Sequence, residues 1–344
     1  MKFGIFDQND AGILPFAEHY EARLQLCEAY DWLGFTTYHL SEHHATPLSY
    51  TPSTGVFLSA VAQRTKQLRF GPLVYILPLR HPLQLAEEIC MLDQMSGGRF
   101  ELGIGRGAVP HELRHHGVDP SVAVPMYREA LEVLLQALSR PEVNFEGQYY
   151  SYKGVPMVLA PVQRPHPPLW YGVSAADAAV WPAQNAVNIV CNGPVGRVAE
   201  IAARYKAEWA AAGNPAATLP CTGLSRAVVI GESDAEALET ARTGWRRYHE
   251  SFYVLWKKHG SMPQYARTPE DFAEMIEAGT GFAGSVATVR DALLKQARET
   301  SVNYVVSRFA FGDIPPEQAL RSATLFAQEI MPALREMEET RHVA

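Results

Sequence analysis

The chain has 344 residues, 47% of them hydrophobic and 19% charged, and a formal net charge of -7. That size allows two domains or one large α/β barrel, and the composition is that of a soluble globular enzyme, not of a fibrous or disordered chain. The acidic balance and the lack of a Lys/Arg-rich tract argue against a nucleic-acid partner, and no stretch is apolar for long enough to span a membrane.

No leader is legible at the N-terminus, which carries one early cation, Lys2, and no long apolar run. Cys27, Cys90, Cys191 and Cys221 are scattered and form no C-x-x-C pair. Four reduced thiols in the cytoplasm fit this spacing better than a disulfide or zinc framework.

In chain order, residues 2–7 form an apolar strand, and 16–33 carry helical spacing that ends at Gly34. The β-branched and aromatic run 35–39 is a second strand. Residues 52–65 read as a helix with Thr51 as N-cap and Pro52 at its first position. A third strand covers 68–76, interrupted by Gly71 and Pro72, and a helix over 82–95 closes at Gly97-Gly98. A fourth strand covers 99–104, and a long helix follows over 127–139. An irregular insertion rich in Pro and aromatic residues spans 141–168. Four more strands are predicted over 169–172, 186–190, 222–230 and 303–308, with a last helix over 316–330. Eight strands alternating with helices predict a single parallel (β/α)8 TIM barrel over 1–344, with a doubly wound open sheet as the alternative. One long segment, 257–284, interrupts the seventh βα unit and holds a short helix over 269–278. A long excursion of this kind is either a lid or a surface loop.

Barrel chemistry gathers at the strand ends, and three of them carry distinctive residues. The second ends in His39-Leu40-Ser41-Glu42-His43-His44. His39, Glu42 and His43 match the H-x-x-E-H pattern of zinc peptidases, which needs a helix to put both imidazoles on one face. The strand-like run before them argues against that helix. A zinc-dependent hydrolase using His39 and His43 therefore stays as the lesser reading, beside an imidazole acid/base or an ordinary His/Glu loop. The fourth strand ends in Gly103-Ile104-Gly105-Arg106-Gly107-Ala108, which is not a dinucleotide fingerprint. Its small residues let a ring or phosphate approach the backbone, and Arg106 can bind a phosphate. The fifth ends in Tyr171-Gly172-Val173-Ser174-Ala175, with Ser174 a candidate N-cap whose following amides suit either capping or a phosphate. Leu73 and Val74 on the third strand are too apolar for acid/base work and suit a wall under a flat ring or plain core packing. His111, His115, His116 and Glu112 follow the fourth strand with no assigned role, and no nucleophile elbow or Walker loop is present.

Taken together these motifs resemble the bacterial luciferase-like family of flavin-dependent monooxygenases. The likeness runs from Met1-Lys2-Phe3-Gly4-Ile5-Phe6 through Glu42-His43-His44, Leu77-Pro78 and His81-Pro82. It continues through Leu92-Asp93-Gln94-Met95-Ser96-Gly97-Gly98-Arg99-Phe100 and the Gly105-Arg106 turn to Phe326 and Met331-Pro332. The resemblance implies a (β/α)8 barrel with an insertion and a lid matching 257–284. It implies reduced FMN delivered by a separate flavin reductase, reaction with O2, and a C4a-peroxyflavin that oxidises a small organic substrate. By position it makes His43 the acid/base and His44 its shaping neighbour. It sets Arg106, Val173, Ser174, Ala175 and Arg128 on the phosphate, with Gly105, Ala108 and Gly172 close to the cofactor. Leu73 and Val74 match a strand bulge under the ring, where the family carries a non-proline cis peptide. Aromatics such as Phe6, Tyr75, Trp245, Phe252 and Trp256 are candidate pocket lining or core.

The departures from the family pattern also predict something. Gly105 stands where the luciferase catalytic subunit has a reactive Cys, which is expected to widen the space near the ring and to disfavour light emission. Val173 replaces an acidic residue. Deazaflavin-using relatives carry Asp-His where this chain has Glu-His-His, which favours FMN. A flavin-binding protein without catalysis is a further alternative, against which both His43 and His44 speak. Homodimerisation follows from the family and from the apolar helices over 52–65 and 82–95.

Overall fold

The computed structural model describes residues 1–263 and 268–343, the side chains of the last three of these excepted. The barrel strands are β1 (Lys2–Asp7), β2 (Thr37–Leu40), β3 (Arg69–Pro72) with β4 (Tyr75–Ile76), β5 (Leu102–Gly105), β8 (Leu169–Gly172), β9 (Asn188–Cys191), β10 (Thr222–Ile230) and β12 (Tyr304–Arg308). All pair in parallel, in the order β3-β2-β1-β12-β10-β9-β8-β5-β4. β3 and β4 are one strand broken at Leu73-Val74, whose peptide is cis. β3 pairs with β2 and β4 with β5, and a parallel bridge joins Phe70 to Phe100. The two halves of that strand therefore close the sheet into a ring of eight, and the open-sheet alternative falls away.

Glycines let the strands approach around this break. A Cβ on Gly71 would run into the backbone carbonyl of Glu101, and one on Gly103 into that of Pro72. Inside the ring, Trp170, Val190, Cys221, Tyr304 and Val306 form a packed plug, with Phe6 and Leu73 partly buried against it. Residues of opposite parity, such as Phe3, Ile5 and Val305, face the helical layer and join the main core.

That layer comprises α1 (Phe16–Trp32), α2 (Thr54–Arg64), α3 (Pro82–Ser96), α5 (Ala123–Ser139), α6 (Val180–Gln184), α7 (Val195–Ala211), α8 (Asp234–Lys258), α10 (Val286–Thr300), α11 (Pro316–Leu325) and α12 (Met331–Val343). α3 opens on Pro82 and closes on Gly97 at φ 66, as its sequence predicts. α2 begins at Thr54, so Thr51 is not its cap.

Four other segments gain detail in the structure. The insertion over 141–168 contains an ordered antiparallel hairpin, β6 (Glu142–Glu146) with β7 (Ser151–Pro156). A short helix, α4 (Pro110–His115), follows the Gly105-Arg106 turn. The C-terminal helix passes through a π-helical turn at Phe326–Ile330 and continues as α12. The segment 257–284 interrupts the seventh βα unit as expected, and its short helix falls within 269–278. It begins in the last turn of α8, carries α9 (Phe272–Glu277), and ends in β11 (Gly281–Gly284), which pairs with β10. Residues 264–267 of that segment lie outside the described residues.

Candidate active site

Parallel strands point all their C-terminal ends to one mouth, and the distinctive motifs meet there. β2 ends at Leu40, and the following turn carries two adjacent imidazoles on two buried carboxylates. His43 Nδ1 lies 2.9 Å from Glu112 Oε1, and His44 Nε2 lies 2.8 Å from Glu42 Oε1. Glu42 is further held by Arg80, with Nη2 3.1 Å from Oε2, and by the Ile76 amide at 3.3 Å. Arg80 also reaches Thr54 Oγ1 and Glu88, and Tyr75 donates to Glu88. His44 stacks edge-on to His116, whose Nδ1 meets the carbonyl of Glu112 at 2.9 Å. Both imidazoles are half-buried, while both carboxylates are buried.

The H-x-x-E-H reading fails on this geometry. His39 lies on a strand and points into the barrel, where Nε2 bonds Tyr304 at 2.9 Å and the ring packs on Trp170 at 4.6 Å. Burial alone pushes its pKa down to about 3. His43 lies in the loop beyond and turns to Glu112. The two imidazoles share no helix face and no ligand position, and among the described residues no cluster of three or more His, Cys, Asp or Glu is arranged to hold a metal.

Next round the ring, Leu73 and Val74 are half-buried at the strand break. Gly105 lies opposite, but it does not widen the site as its sequence suggests. A Cβ at 105 would collide with Val74 Cγ2, so the glycine accommodates the Val74 side chain. Arg106 then leaves β5 exposed and makes no hydrogen bond or ion pair among the described residues, and Ala108 is also exposed.

β5 pairs with β8, so Gly172 and the turn after it adjoin Arg106. Gly172 has open space where a Cβ would stand. The Val173 side chain is buried and its amide donates to Val190 at 3.0 Å. Ser174 and Ala175 are exposed, and their amides donate to no acceptor among the described residues. Ser174 is not an N-cap. The cap position of the 3-10 turn Ala176–Ala179 falls on Ala175. Arg128, on α5, is exposed and unpaired among the described residues. Its neighbour Tyr127 packs into the core.

The aromatic candidates divide. Phe6 borders the barrel plug, whereas Tyr75 is wholly buried with its hydroxyl on Glu88. Trp245 stacks on Tyr248 and joins the core. Phe252 and Trp256 pack with Val109 and Tyr253, which joins the end of α8 to the start of α4. His111 completes that junction. It stacks on His259 at 4.2 Å and meets Ser261 Oγ at 2.8 Å. Glu112 is the site residue that sequence reasoning passed over. Its partner is 69 positions away, and its only local signal is a carboxylate just past the Gly-Arg turn.

Comparison with known proteins agrees with this architecture. A family model described as luciferase-like monooxygenase matches residues 1–311. Protein y4wF of Sinorhizobium fredii, uncharacterized, is 41% identical over 331 residues, covering 96% of each chain. The oxygenating constituent of 3,6-diketocamphane monooxygenase from Pseudomonas putida, a type II Baeyer-Villiger monooxygenase solved in complex with FMN, superposes with a TM-score of 0.79 at 21% identity, over 97% of this chain and 98% of its own. The coenzyme F420 dependent tetrahydromethanopterin reductase from Methanopyrus kandleri superposes with a TM-score of 0.71 at 21% identity, over 97% and 99%. At these identities the two structures speak for the shared fold.

Proposed function

Because the chain belongs to the luciferase-like monooxygenase family, we propose that it is a flavin-dependent monooxygenase that takes reduced FMN from a separate flavin reductase and, through a C4a-peroxyflavin, uses O2 to oxidise a small organic substrate. One observation carries this reading: an imidazole on a buried carboxylate, an apolar strand break and an arginine unpaired among the described residues share one barrel mouth.

The residues present suit FMN. A phosphate needs donors without other obligations, and among the described residues Arg106, Arg128 and the amides of Ser174 and Ala175 are of that kind. A flat ring needs an apolar bed, and Leu73 with Val74 offers one, backed by Gly105. Gly172 and Ala108 leave room for the chain between ring and phosphate. Val173 contributes its side chain only, because its amide is already engaged. Bound reduced flavin would supply the two electrons that make O2 reactive. The chain's part is to hold the cofactor, keep water out, and offer His43 as the acid/base, with His44 shaping the site beside it. Glu-His-His at the end of β2 favours FMN over coenzyme F420. The chain is read as one domain over 1–344, acting in the cytoplasm as a homodimer. Its four free, buried cysteines suit a reducing compartment.

The test is to mix the protein anaerobically with reduced FMN, admit oxygen, and follow the near-ultraviolet flavin spectrum. A long-lived oxygenated flavin, absent without protein, supports the reading. Return to oxidised FMN at the free-solution rate, with binding of reduced coenzyme F420 instead, moves the chain to hydride transfer. His43→Ala is expected to keep FMN binding within about 2-fold and to shorten the species' lifetime by about 100-fold, the lower end for a positioned acid or base. An unchanged lifetime counts against His43.

A further inference from the structure

We infer that Glu112 is the positioning residue for His43, fixing the ring with its proton on Nδ1 and leaving Nε2 as the nitrogen that exchanges a proton at the mouth. This rests on the oxygenase reading for its chemical purpose, but not for its geometry.

The two His-carboxylate pairs at this site are not equivalent. Glu42, under His44, already serves Arg80 and the Ile76 amide, so its negative charge is spread over three partners. Glu112 is equally buried, with a side chain only 2% exposed, yet among the described residues its carboxylate meets one partner, His43 Nδ1. An ionised carboxylate only accepts hydrogen bonds, so the nitrogen it meets must carry the hydrogen. A buried carboxylate is costly when unpaired, which holds the imidazole to it. The second nitrogen of a ring so held is free to accept or give a proton. A carboxylate that sets the tautomer of a working histidine is a recurrent device in enzymes, and it loses its effect when an amide replaces it.

The site of attachment supports the same role. Glu112 lies in the first turn of α4, directly after the turn that carries Arg106. The other side of α4 is fastened to the end of α8 through His111, which meets Ser261 and stacks on His259. His116 at the end of α4 bonds the carbonyl of Glu112 itself and packs on His44. The carboxylate therefore reaches His43 from a helix pinned at both ends.

The experiment is 15N NMR of the histidine side chains in the cofactor-free protein at pH 8, with His43→Asn used to assign the His43 signals by their loss. The wild-type ring is expected as the Nδ1–H tautomer. Glu112→Ala and Glu112→Gln are expected to lose that single tautomer, and Glu112→Asp to retain it. An Nε2–H ring in the wild type, or an Nδ1–H ring that survives Glu112→Ala, overturns the inference, and the wild-type measurement needs no variant to fold. The same variants are then mixed with reduced FMN and oxygen. If the oxygenase reading holds, Glu112→Ala and Glu112→Gln shorten the lifetime of the oxygenated flavin by at least about 10-fold, and Glu112→Asp recovers most of it. If the wild type gives no such species, the oxygenase reading fails, while the tautomer still decides the role of Glu112.

Discussion

Arg106 shows how much one residue at the mouth can carry. Its guanidinium is exposed and unpaired among the described residues, so a bound phosphate meets no competitor for it. Arg106→Ala is expected to weaken FMN binding by about 10–100-fold, the 1.5–3 kcal/mol of a hydrogen bond to a charged group. Flavin fluorescence quenching reads this directly, and riboflavin, which lacks the phosphate, should bind both proteins alike. An equal loss for riboflavin would mean that Arg106 contacts the ring or shapes the turn. Gly105 makes the opposite kind of claim, because it is about space. A methyl group there would overlap Val74, so Gly105→Ala is expected to destabilise the fold by about 1–3 kcal/mol in urea unfolding. Val74→Ala should relieve most of that cost in the double variant. Additive costs would refute the packing argument. The contrast explains what was legible at this scale. His43 and Arg106 stand in short motifs at predicted strand ends. The Gly105–Val74 contact and the Glu112–His43 pair join distant positions, and no local pattern encodes either.

Elements were legible where their pattern is local. β1, β8 and β10 fall where periodicity places them, and α3 has both of its end signals. The interruption of the strand over 68–76 was legible at Gly71 and Pro72, but its place between Leu73 and Val74 came only from the family resemblance, because a break between two apolar residues leaves the apolar pattern intact. The 141–168 hairpin was hidden because its strands are largely exposed and carry no buried alternation. β11 was hidden because Gly281-Phe282-Ala283-Gly284 has little strand propensity and is held by pairing with β10. α2 and α3 raise a different issue, since they leave apolar side chains uncovered. Val56, Met91 and Met95 are 74%, 54% and 48% exposed, and Met91 and Met95 line an open groove with Gly55 and Ser59. If the chain pairs as the proposed homodimer, this uncovered apolar face is the one a second copy would bury. The double variant Met91→Asp with Met95→Asp is therefore expected to weaken self-association by at least about 100-fold, or about 2.7 kcal/mol. Sedimentation velocity over a concentration series checks it, and a dimer of unchanged affinity would place the interface elsewhere.

At the scale of the whole molecule, the closed barrel was legible from the count and alternation of eight strands. Its interior chemistry was not, because it depends on which buried polar groups the ring encloses. His39 inside the ring, His19 on α1 and Asp10 just after β1 are three buried groups whose titration bears on how the fold responds to acid. Burial pushes His39 down to about 3 and, with Arg23 nearby, His19 down to about 4, from 6.5. The folded chain therefore binds fewer protons at these sites than the unfolded chain, and stability present above pH 6.5 is lost as the pH falls toward the folded values. Asp10 acts in the other direction. Burial raises it from 3.8 to about 6 against the pull of Arg23, so its contribution is present below 3.8 and lost as the pH rises through about 6. Near pH 5 the unfolded chain holds two protons on the histidines, and the folded chain holds one on Asp10. The difference of one proton is these three groups' contribution, a loss of about 1.4 kcal/mol of stability per pH unit on going acid. His39→Gln keeps a polar partner for Tyr304 but removes one titrating group. The slope near pH 5 should then be shallower than that of the wild type by about 1.4 kcal/mol per pH unit. Urea unfolding at pH 5 and pH 7 measures both slopes. A variant as acid-sensitive as the wild type would show that His39 is not held neutral inside the barrel.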